Sequence, residues 1–131
     1  MTTRFILGIL AYAVPTFILG YTWHLKFFAG YYNALKIYRA DMIIPFGMAA
    51  MLLQGAFLSW IYPRVMAHPE AITSGVTFSL LVAVFAWTFT TLAVGAKHHM
   101  TSVPRFVVIE TAFTFVQFAI VGPLLALSAR A

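Results

Sequence analysis

Four stretches of the chain, from Phe5 to Leu25, Met42 to Tyr62, Thr73 to Ala96 and Phe106 to Leu127, hold a single formal charge between them, Glu110. Each is long enough for the roughly 20 residues that a helix needs to cross a bilayer. A strand of a membrane barrel is about half that length and alternates in polarity, and none of the four alternates. They are expected to be transmembrane helices. Pro15, Pro45 and Pro123 fall inside them, which helices in a bilayer tolerate better than helices in water.

Composition points the same way. Only 8% of the 131 residues are charged and 63% are hydrophobic, against about 25% charged in a soluble domain. Too few charges remain to coat a water-facing exterior, so the chain's partner is the lipid bilayer. There are no cysteines, which excludes disulfides, thiolate metal sites and cysteine nucleophiles. The net charge of +5 comes from eight Lys and Arg against three acids. These basic residues stand at segment ends without forming a patch, so they read as topology and headgroup charges and not as a nucleic-acid surface.

The start of the chain imitates a signal peptide, with Arg4, an apolar run and Ala11-Tyr12-Ala13. The run before that site covers only Phe5 to Leu10, shorter than the usual 7–15 residues or so, and apolarity continues past it. It is read as a retained first span. The first connection, "AGYYNALKIYRAD", places Tyr31, Leu35 and Tyr38 at helical spacing, as a short helix in the headgroup layer would. The later connections are brief and broken by Pro63, Pro69 and Pro104. The expected architecture is all-α: one domain over residues 1–131, a four-helix transmembrane bundle with a short interfacial helix after span one.

Four spans put both termini on one side with the second loop. Lys26, Lys36, Arg39, Lys97 and Arg105 lie on the side of loops one and three, and Arg4, Arg64 and Arg130 lie opposite. Positive-inside reasoning then makes the termini periplasmic. Placing Gln54 on Gln117 aligns "MAAMLLQGAF" with "TAFTFVQFAI", and Trp23 and Trp87 fall one residue out of that register. Such a match suits two related hairpins.

Chemistry must come from few residues. His24, His98 and His99 end spans one and three on one membrane side, and Asp41 and Glu110 share it. Imidazoles and carboxylates ligate metals, but no His-x-x-x-His or Glu-x-x-His spacing sets two ligands on one helix. No metal or other cofactor is expected, and His24 is read as the point where a helix meets water. Glu110 is different. An acid inside a span is costly and normally faces the bundle interior. It shares a stripe with Thr114 and Gln117, and Gln54, Thr88 and Thr91 on spans two and three complete the expected polar site. Span one offers the row Gly8, Tyr12, Thr16 and Gly20. Trp23, Trp60 and Trp87 read as interfacial or lipid-facing aromatics.

The layout resembles small four-span bacterial inner-membrane families classed as domains of unknown function. The likeness lies in Trp23-His24 closing span one, the tyrosines of the first loop (Tyr31, Tyr32, Tyr38) and the short later loops. No acid precedes Trp23 in span one, which departs from one such family. The resemblance implies a bacterial inner membrane and transfers no catalytic residue. The leading functional expectation is a non-catalytic accessory or assembly component, acting as a homo-oligomer or within a larger membrane complex. A transporter or channel with a polar path at Glu110 is the alternative, and a histidine-metal or haem membrane enzyme the third.

Overall fold

The computed structural model describes residues 2–131. It is all-helical among those residues, with four helices long and apolar enough to cross a membrane. These are α1 (Thr3–Phe27), α3 (Ile44–Val65), α4 (Ile72–Lys97) and α5 (Val103–Ser128). The short helix α2 (Ala29–Leu35) lies between the first two.

Side-chain capping accounts for where α1 and α5 begin. The Thr2 hydroxyl accepts from the Phe5 N–H and starts α1 at Thr3. The Ser102 hydroxyl does the same for Arg105 and starts α5 at Val103, three residues before the apolar run. Each cap satisfies an N–H that the first turn leaves without a partner. Pro104 and Pro45 sit in the first turns of α5 and α3, where the missing N–H costs nothing.

Helix α2 differs from the expectation in its face and its end. Lys36 takes a left-handed conformation (φ 58°) and closes the helix, leaving Tyr38 in the following loop. Tyr32 and Leu35 are the buried pair, packed with Phe106 and Ile109 of α5 and against Trp23. Burial against α5 holds α2 in place, and Tyr31 donates its hydroxyl to the Arg105 carbonyl at 2.7 Å.

The spans pair as two hairpins. In the first, α1 crosses α3 where Gly8 meets Ser59: a Cβ on Gly8 would lie 2.1 Å from the Ser59 hydroxyl, which donates to the Phe5 carbonyl. In the second, α4 crosses α5 at Gly75 and Gly122, and a Cβ on Gly75 would lie 2.1 Å from the Gly122 oxygen. Small residues at helix crossings let backbones approach without a hydrophobic driving force. Ser59 and Gly122 each stand five residues after the glutamine of their hairpin, Gln54 and Gln117.

A second parallel concerns the first helix of each hairpin. Both α1 and α4 pass into a π-helical turn beside a tryptophan, at Trp23–Phe27 and Thr88–Leu92. Both indoles are hydrogen-bonded inside the bundle, Trp23 to the Tyr32 hydroxyl at 2.9 Å and Trp87 to the Thr111 hydroxyl at 2.8 Å. These two are therefore bundle residues and not merely interfacial ones.

Helix α1 also packs along α5 and joins the hairpins. Helices α3 and α4 meet near the turn that links them, where the Tyr62 and Phe78 rings stand 5.0 Å apart. Tyr12, Leu58, Phe118, Val121 and Leu125 complete that core. Towards the first loop α3 and α4 diverge, and a cleft opens between them.

Candidate functional site

The cleft has a volume of about 1340 Å³. Its walls are α3 and α4, carrying Phe46, Met51, Phe57, Phe85 and Phe89, and its floor is α1 and α5. On the floor α1 presents Tyr12, Thr16, Gly20 and His24 at a constant step of four, and α5 presents Glu110, Thr114 and Gln117. Phe46 and Phe85 are 73% and 70% exposed, so in a membrane the mouth faces hydrocarbon.

Three polar contacts stand along this floor. Deepest, the Tyr12 hydroxyl donates to Gln54 Oε1 at 2.6 Å. Beside it, Gln117 Nε2 donates to the Thr16 hydroxyl at 2.9 Å. The third, at the end nearest the first loop, is centred on Glu110. Its Oε1 accepts from the Tyr32 hydroxyl at 2.5 Å and lies 3.2 Å from His24 Nε2. The other ring nitrogen, Nδ1, is 2.9 Å from the Gly20 carbonyl. Tyr32 in turn accepts from Trp23, so its own proton is free to point at Glu110. Burial, and next the neighbouring carboxylate, push the Tyr32 hydroxyl well above its ordinary value and keep it a donor.

Hydrogen-bond chemistry places one proton between His24 and Glu110. The Gly20 carbonyl can only accept, so Nδ1 carries a hydrogen. An unprotonated Nε2 would then face a carboxylate lone pair to lone pair. With the proton on either partner the pair is neutral overall, which is how two ionisable groups are accommodated inside a membrane protein. Oε2 of Glu110 has no hydrogen-bond partner among the described residues, and the side chain lines the cleft.

The expected site residues divide. Glu110, Thr114, Gln117 and Gln54 come together along the cleft. Thr88 and Thr91 do not join them. Thr88 is exposed and donates back to the Phe85 carbonyl, while Thr91 is fully buried with its hydroxyl unpartnered. The π-turn at 88–92 breaks the α-helical spacing on which the two would share a face. Thr90 reaches the cleft in their stead.

His24 is more than a boundary, because it crosses the bundle to Glu110. His98 and His99 are exposed beyond the end of α4, and no group of three metal-ligating side chains forms among the described residues. Arg105 is exposed and does not join the cluster; its carbonyl accepts from Tyr31.

Spacing alone had one unused signal for His24: the row Gly8, Tyr12, Thr16, Gly20 reaches it in one more step of four. Tyr32 had none, since the spacing favoured Tyr31 and Tyr38. Compared with protein-family models, with characterised proteins and with solved structures, the chain has no match in any of the three.

The site can hold a hydrogen-bonding group at one end and a long apolar body along its walls. Its polar row ends at the packed rings of Tyr12, Tyr62, Phe78 and Phe118.

Proposed function

We propose that the protein is a non-catalytic membrane component that binds a hydrophobic molecule taken laterally from the bilayer, on behalf of a larger membrane assembly or an oligomer of this chain. The observation that carries this reading is the cleft between α3 and α4. It exceeds the 300–1,000 Å³ or so of ordinary small-molecule pockets, its mouth faces lipid, and most of its polar residues lie on the floor. A polar path for ions gains less support from one chain, since the row of hydrogen-bonding groups stops at an apolar core.

Gly47 supplies the test. It lines the cleft, and a Cβ built on it meets nothing within 4 Å. Gly47→Trp fills the cleft while leaving the helix crossings and the Glu110 cluster untouched. In native mass spectrometry of detergent-purified protein, the wild type should retain co-purifying lipid and Gly47→Trp should lose it. Equal retention by both would overturn the reading.

The likeness to four-span bacterial families supports a place in a bacterial inner membrane. The five-to-three distribution of basic residues supports periplasmic termini, and a cytoplasmic reporter fused to Ala131 should be inactive. A fully active one reverses the orientation.

A further inference from the structure

Given the cleft reading above, on which this inference rests, we infer that the occupant is an electrically neutral, hydroxyl-headed lipid of the diacylglycerol type, seated with its hydroxyl on Glu110 and drawn from the leaflet on the side of loops one and three. Three features of the cleft lead there.

The first is depth. The floor runs from His24 to Tyr12, twelve residues of α1, or about 18 Å at 1.5 Å per residue. That is little more than half of a hydrocarbon core of about 30 Å; beyond it the Tyr62–Phe78 contact joins α3 to α4, and only the α3 wall continues past the floor, to Val65 and Met66. A helix crossing the whole membrane would outrun this floor. A lipid of one leaflet matches it.

The second is polarity. The cluster of His24, Tyr32 and Glu110 stands at the loop end of the cleft, where a lipid of that leaflet carries its head. The walls further in are mostly phenylalanine, leucine and methionine, and the polar groups there are taken up with one another, Tyr12 with Gln54 and Gln117 with Thr16.

The third is charge. His24 and Glu110 hold one proton between them and are neutral together, so an ammonium head would leave an uncompensated charge at a low-dielectric site. A phosphate head would meet the free Oε2 of Glu110, which can only accept when ionised, and Arg39, which also lines this end of the cleft, already faces Asp41 at 3.4 Å. A hydroxyl donates one hydrogen bond to that oxygen and adds no charge. The volume of about 1340 Å³ leaves room for more than one apolar chain.

The experiment uses the full chain in nanodiscs, with three photoactivatable lipids carrying a diazirine in one acyl chain: diacylglycerol, phosphatidic acid and a long-chain amine. Crosslinks are mapped by mass spectrometry. Diacylglycerol should label α3 and α4 residues of the cleft about tenfold more than either charged probe, a difference of about 1.4 kcal/mol. Glu110→Gln, which turns an amide donor towards the head, should remove that preference. Gly47→Trp should abolish cleft labelling by every probe.

Equal labelling by the three heads, still abolished by Gly47→Trp, overturns the head assignment and leaves the cleft reading standing. Labelling indifferent to Gly47→Trp overturns both. Because the comparison of heads is made in the wild type, it holds even where Glu110→Gln fails to fold.

Discussion

The Tyr32 hydroxyl is the joint of the Glu110 cluster, accepting from the Trp23 indole and donating to the carboxylate. Its ring is 1% exposed, so removing the oxygen alone leaves two partly buried groups, the Trp23 indole and the Glu110 carboxylate, short of a partner. Tyr32→Phe should lower stability by about 1–2 kcal/mol, the upper part of the range for hydrogen bonds in membrane proteins. Thermal unfolding in detergent measures it, and an unchanged midpoint would mean that the cluster is held by packing alone. At this scale the sequence was half legible. Glu110 stood out because an acid inside a span has few tolerable places. Its partners were hidden, since α2 buries Tyr32 where spacing favoured Tyr31, and the row on α1 had to be carried one step further to reach His24.

Crossings of small residues fix how the elements pack. At Gly75 a methyl group would lie 2.1 Å from the Gly122 carbonyl oxygen, a rigid backbone atom that cannot swing aside. Gly75→Ala should therefore push α4 from α5 and cost about 1–3 kcal/mol, as overpacked sites do. Gly47→Ala, with open space around it, should instead be neutral or stabilising by up to about 1 kcal/mol, because alanine suits a helix better. Similar unfolding midpoints for the two variants would contradict the close crossing. The existence of the four spans was plain from uncharged length, since nothing else satisfies a backbone in lipid. The π-turns at 23–27 and 88–92 were not plain. A helix that changes register part-way moves every later residue to a new face, and Thr91 left the polar stripe for that reason.

At the scale of the whole molecule, three helix seams are closed and the fourth, between α3 and α4, opens towards the first loop. Periodicity could not show this, because α3 and α4 are apolar all round and carry no stripe that tells a neighbouring helix from lipid. The gap follows from the paired hairpins, which are joined through α1 and α5 while the short turn after Val65 holds α3 and α4 together at one end only. With Phe46 and Phe85 exposed at its mouth, this gap faces hydrocarbon and not water. The chain has no cysteine, so single cysteines introduced for Met51 and Ala86, both lining the cleft, can carry nitroxide labels without background. Their relaxation in nanodiscs should respond strongly to oxygen, which concentrates in lipid, and weakly to a water-soluble nickel chelate, as should a reference label at Leu53, 72% exposed on the outer side of α3. Strong broadening by nickel at 51 and 86, with none at 53, would instead reveal a water-filled path between α3 and α4.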